Sequence, residues 1–107
     1  MKRKAIHAGS WYPSAASELT ALLEASMSTP RECHSVKAII VPHAGYKYSG
    51  SVAGSSFSHI TAAKAKRYFV LGPSHKITLP NKIAYSMANA LETPLGDLAV
   101  DLESTLY

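Results

Sequence analysis

The sequence predicts an α/β fold, a partial parallel or mixed sheet with crossover helices. Two apolar runs carry that reading: Val36 to Val41, and Tyr68-Phe69-Val70-Leu71 entered through Arg67. The first is nearly continuous and rich in β-branched residues, the pattern of a strand covered on both faces of a parallel sheet. Pro42 cannot donate a ladder hydrogen bond, so it marks the end of that run; Gly72 and Pro73 end the other. Between the runs lies a stretch with helical spacing. A strand–helix–strand unit of this kind should cross over with a right hand.

The elements follow in chain order. Lys2-Arg3-Lys4 reads as a flexible basic start, and His7 to Pro13 as a loop in which Gly9 permits a tight path. Pro13 and Ser14 resemble a helix start. The Ser14 hydroxyl is placed to cap the first-turn amides, and Glu18 falls early, where the helix dipole favours a negative charge. Leu19, Leu22, Leu23 and Met27 recur at offsets of three and four and form one apolar stripe; Pro30 stops the helix. After the first strand, Gly50 to about Ile60 reads as the crossover helix. Val52, Ala53, Phe57 and Ile60 approximately share a face, and Gly50, Ala53 and Gly54 are small enough for close packing on the sheet. Arg67 to Leu71 is the second strand, Lys76 to Asn81 a loop, and Ile83 to Ser86 a short strand. Thr93-Pro94-Leu95-Gly96-Asp97 is a turn before Leu98-Ala99-Val100. There is no internal repeat or low-complexity tract.

At 107 residues and 47% hydrophobic, the chain is not compositionally disordered and is one small domain or part of a larger one. Its last residues still have the character of structured sequence. Residues 1–107 are therefore expected to be the N-terminal portion of a single, larger α/β domain, truncated here. The formal charge of +4 comes from 11 basic and 7 acidic residues. The basic clusters at Lys2 to Lys4 and at Lys64, Lys66 and Arg67 are short and lack interleaved aromatics. They read as solvated surface, and no nucleic-acid partner is expected. Cys33 is the lone cysteine, so no disulfide can form within the chain. No run reaches the roughly 18 apolar residues of a membrane span, and the basic start is followed by no apolar signal core. The expectation is a soluble cytoplasmic protein.

The chemistry concentrates where the two strands end. His43 follows Pro42, and His75 follows Gly72-Pro73-Ser74. In open α/β sheets, ligands gather outside the carboxyl ends of strands. Two histidines delivered there, one strand–helix–strand repeat apart, could share a metal ion, and neutral imidazoles suit Fe, Cu, Ni and Zn. They could equally hydrogen-bond their own turns. They could also work without metal, His43 accepting a proton and His75 donating one to a developing negative charge. A further ligand could come from His7, His59, Cys33 or sequence beyond this chain, and the last is favoured. His59 falls near the far end of the crossover helix; Cys33 and His34 precede the first strand. Tyr46 and Tyr48 follow His43 closely and offer phenols or a pocket wall, as do Trp11 and Tyr12. A hydrolase nucleophile elbow, a phosphate-binding loop, a dinucleotide fingerprint and a CxxC pair are all absent.

Four blocks in this order resemble the Memo-like family: His7-Ala8-Gly9-Ser10-Trp11-Tyr12, Pro42-His43-Ala44-Gly45-Tyr46, Leu71-Gly72-Pro73-Ser74-His75 and Thr93-Pro94-Leu95-Gly96-Asp97-Leu98. The match covers nearly all of this chain and about the first third of a usual member. It implies a fold similar to the extradiol ring-cleaving dioxygenases that use non-haem iron, with the pocket at strand ends. On that resemblance His43 and His75 are metal ligands for Fe(2+) or Cu, Tyr46 lies beside them, and His7 takes a secondary place at the pocket. The family's further histidine and its pocket cysteine fall downstream of this chain, and Cys33 does not replace that cysteine. The function implied is a metal-binding protein with oxidoreductase activity toward a small-molecule substrate. The family is also linked to phosphotyrosine-dependent signalling, so a phosphopeptide-binding module without turnover is the alternative, with a metal-independent acid/base hydrolase as a third. A eukaryotic member could also be nuclear.

Overall fold

A computed structural model describes residues 1–27, 36–60 and 66–105. The elements are strand β1 (Lys2–Arg3), helix α1 (Ala16–Ser26), helix α2 (Tyr46–Phe57), strands β2 (Ala90–Thr93) and β3 (Gly96–Ala99), and the short helix α3 (Leu102–Thr105). They make an α/β fold with a mixed sheet in the order β1-β2-β3. β1 pairs parallel to β2, and β2 pairs antiparallel to β3. The connection from β1 to β2 carries α1 and α2, so the helices are crossover elements. None of the helices is long and apolar enough to cross a membrane among the described residues.

The sheet is stitched by charge at its edges. Lys2 pairs with Asp97 at 2.5 Å and Lys4 with Glu92 at 3.0 Å. The amino terminus donates to Asn89 Oδ1 at 3.0 Å, while the Asn89 amide donates back to the Met1 carbonyl at 2.9 Å. The basic start is therefore a strand rather than a flexible lead. Its partner Ala90 lies far along the chain, and no local pattern in Lys2-Arg3 announces the pairing.

The β2–β3 hairpin forms where the turn was expected, with Thr93 opposite Gly96. Pro94 and Leu95 make the loop. Gly96 takes φ +118°, a region that a side chain rarely adopts. The Thr93 hydroxyl accepts from the Leu95 amide at 3.1 Å and donates to the Gly96 carbonyl at 2.7 Å.

Helix α1 follows its apolar stripe: Leu19 is buried, Leu22 and Leu23 are half-buried, and Met27 closes the helix at its C-cap. Its start departs from the sequence reading. Ala15, not Ser14, is the N-cap, and no side chain caps the first turn. The expected stop at Pro30 lies outside the described residues, as do Cys33, His34 and Lys64.

Helix α2 begins at Tyr46 instead of Gly50. The Tyr46 amide, a first-turn donor with no partner in its own helix, donates to the Trp11 carbonyl at 2.9 Å. The 7–12 loop thereby supplies from afar the cap that the local sequence lacks. The small residues Gly50 and Gly54 are buried as expected, but against α1 rather than a sheet. A Cβ on Gly54 would stand 2.5 Å from the Ser26 carbonyl oxygen.

The largest correction concerns the two predicted central strands. Val36 to Val41 and Arg67 to Leu71 form no strand, and no backbone ladder joins them among the described residues. Ile83 to Ser86 forms none either. Ile40 is 97% exposed and Val70 91%. β-propensity measures fit to a half-buried pleated surface, not an intrinsic preference. Without a neighbouring strand and a covering layer, an apolar run has nothing to pair with. The radius of gyration of 15.0 Å is correspondingly above the ~13 Å usual for a domain of this length.

Candidate functional site

His43 and His75 meet although the segments that carry them form no ladder. Their Nε2 atoms are 3.0 Å apart and their ring planes lie within 9°. The ring centroids are 5.2 Å apart, longer than the nitrogen separation by about two ring radii, so the rings face each other head to head. At that distance the two nitrogens are within hydrogen-bond reach, and which one donates depends on the tautomers of the two rings.

Each ring is held through its backbone. For His43 the anchor is Ser49, buried in α2, whose hydroxyl donates to the Ala44 carbonyl at 3.1 Å. That back-bond ties the Pro42–Gly45 approach to the second turn of the helix. For His75 there are two anchors. The Ser74 hydroxyl donates to the Ile77 carbonyl and closes the turn just after it. Farther back, Arg67 Nε donates to Asp101 Oδ2 at 2.7 Å and joins the root of the segment to the start of α3. The Ser104 amide, the Arg67 guanidinium and the Ser104 hydroxyl together pull the Asp101 carboxyl down to about 2. An Arg–Asp pair 34 positions apart leaves no local signal.

Tyr46 and His7 stand beside the pair rather than in it. Tyr46 shares with His43 an apolar hollow of ≈ 420 Å³ walled by Leu22, Leu23, Val41 and Phe57. Its ring meets Tyr12 at 5.6 Å. The His7 ring packs on Trp11 at 5.1 Å, and the carbonyl of Trp11 is the one that caps α2. Trp11 and Tyr12 thus link His7 to the entry of the helix. Tyr48 is 80% exposed, with the Lys47 ammonium 5.9 Å from its ring. His59 follows the end of α2, its amide bonded to the Ser56 carbonyl. Among the described residues no three His, Cys, Asp or Glu side chains gather around one point. Among the described residues the candidate donors are the two imidazole nitrogens.

Those two nitrogens are suitably spaced for one ion. Bonds of about 2.0–2.1 Å to a common metal, with an angle near 90°, put two nitrogens about 3 Å apart. Both rings are exposed, so each is free to rotate from the head-on geometry and aim its lone pair at a shared point.

A sequence model of the family described as Memo-like protein matches residues 3–106. The chain is 43% identical over 107 residues to the MEMO1 family protein MHO1 of Saccharomyces cerevisiae, covering 94% of this chain and 31% of that protein. It is 42% identical over 100 residues to Protein MEMO1 of Xenopus laevis, with 92% and 33% covered. To Protein MEMO1 of Mus musculus it is 41% identical over the same length and coverage. The chain spans about a third of the length of the curated relatives it matches.

Proposed function

The chain belongs to the Memo-like family, and we propose that in it His43 and His75 ligate a non-haem iron or copper ion at a redox site. One observation carries the reading: two imidazole nitrogens 3.0 Å apart, brought together from positions 32 residues distant. A bound ion of this kind supplies one-electron chemistry and Lewis acidity. The rest is the work of the chain. Ser49 and the Ser74 turn hold the two imidazoles at a fixed backbone separation. Tyr46 walls the hollow beside His43, where an apolar part of a substrate would be shielded from water. Coordination positions beyond the two imidazoles are left for substrate, water and donors outside the described residues.

The test is metal analysis of protein purified without oxygen, followed by Fe(II) and Cu titration, beside His43→Ala and His75→Ala. Near-stoichiometric loading in the wild type, lost in both variants, is the expected result. A wild type that takes up neither metal, or loading that survives both substitutions, overturns the reading.

A further inference from the structure

Charge is segregated along this chain. Between Cys33 and Leu91 there is no Asp or Glu, although seven of the eleven Lys and Arg residues fall there, with both candidate ligands. The seven acids lie outside that stretch. Asp97 and Glu92 are spent on Lys2 and Lys4, and Asp101 on Arg67.

Within the acid-free stretch, the segment from Val70 to Ala84 folds around an open depression of ≈ 850 Å³. His75, Lys76 and Lys82 line it, with Ser74 and Thr78, and no carboxylate does among the described residues. Neither lysine has an ion-pair partner among the described residues. The loop is shaped by two local features: the Ser74 hydroxyl bonded to the Ile77 carbonyl, and Asn81 at φ 53°. Two ammonium groups with no acidic partner among the described residues leave the depression with a positive field. A cleft of one sign concentrates ligands of the other.

We propose that this depression is the oxyanion subsite of the histidine site. Lys76 and Lys82 take the carboxylate or phosphate group of a small ligand whose remainder reaches His75. The proposal rests on the reading that His43 and His75 form a ligand site, and extends it by naming the ligand as an anion.

The test is a titration of the full chain, without added metal, with inorganic phosphate and separately with acetate, followed by amide chemical shifts. Saturable shifts centred on residues 74–82 are expected. The double variant Lys76→Met/Lys82→Met should weaken binding by at least about tenfold, the usual worth of hydrogen bonds to charged groups. Lys37→Met/Lys47→Met, which changes the same net charge elsewhere, should leave the affinity unchanged. Phosphate bound in preference to acetate assigns a phosphoryl group; comparable binding assigns a carboxylate. Shifts spread over all the lysines, or equal loss in both double variants, overturn the subsite. The two readings separate cleanly. Phosphate binding that persists when no metal loads removes the metal reading alone; metal loading without a phosphate site removes this one alone.

Discussion

Adding one methyl group at Gly54 tests the helix pairing that underlies the His43 anchor. A Cβ there would stand 2.5 Å from the Ser26 carbonyl oxygen, 2.6 Å from Ser26 Cβ and 2.7 Å from its carbonyl carbon. Ordinary non-bonded contacts lie near 3.5–4.0 Å, so α1 and α2 would have to part by about 1 Å. The obstacle is mostly backbone at the end of α1, which cannot swing aside as a side chain can. Overpacking of this kind costs about 1–3 kcal/mol. The better helix propensity of alanine returns about 1 kcal/mol. A backbone obstacle puts the overpacking cost at about 2–3 kcal/mol of its range, so Gly54→Ala should destabilise by roughly 1–2 kcal/mol net, a fall of about 4–9 °C in Tm for a chain of this size. Gly50 is the control. Its Cβ would meet Tyr46 Cβ at 3.4 Å and Leu22 Cδ2 at 3.9 Å. Gly50→Ala should be neutral or stabilising by up to about 1 kcal/mol. Thermal unfolding followed by circular dichroism at the helical band measures both. A Gly54→Ala protein as stable as wild type, or equal shifts in the two variants, would refute the helix contact.

Other outcomes follow from the geometry. Gly96→Ala forces a side chain into φ +118° at the hairpin and should lower stability by about 1–2 kcal/mol in denaturant titration; no change would mean the turn relaxes freely. Asp101 has a folded pKa of about 2 against an ordinary value of 3.8. Its contribution is present above about 4 and is lost as pH falls through about 2. Asp101→Asn should flatten stability against pH in that window, and an unchanged acid limb would count against the Arg67 anchor. Ser49→Ala removes the hydroxyl bond to the Ala44 carbonyl and should cost about 1 kcal/mol. It should also broaden the His43 ring resonances in NMR spectra; a sharp, unshifted ring would show that Ser49 does not hold it.

What the sequence disclosed depended on how local each cause is. Leu19, Leu22 and Leu23 carry a stripe within one helix, and Thr93 to Gly96 carry a turn within four residues, so both were legible. The start of α2 was not, because its cap is the Trp11 carbonyl and nothing beside Tyr46 signals it. β1 was hidden for the same reason: Lys2 pairs with Ala90, nearly the whole chain away. Val36 to Val41 and Tyr68 to Leu71 have strand-like composition, but a ladder belongs to two segments and composition describes one. The histidine pair was legible through the Pro and Gly residues that punctuate those runs. The ladder proved unnecessary: the two rings meet through their own side chains. The lysines beside His75, which pair with no acid among the described residues, required the absence of acids to be read over the whole stretch, which no short motif records.

The contact between His43 and His75 also has a topological meaning. It joins two points 32 residues apart, with α2 inside the loop and no sheet among the described residues to keep its ends together. Any ligand that grips both imidazoles acts as a reversible cross-link. By the chain-entropy relation used for disulfides, closing a loop of that length withdraws roughly 3–4 kcal/mol of freedom from the unfolded chain. The same clasp would order the exposed apolar segments on either side of it. A ligand bound to both imidazoles would therefore stabilise the folded chain in step with its occupancy.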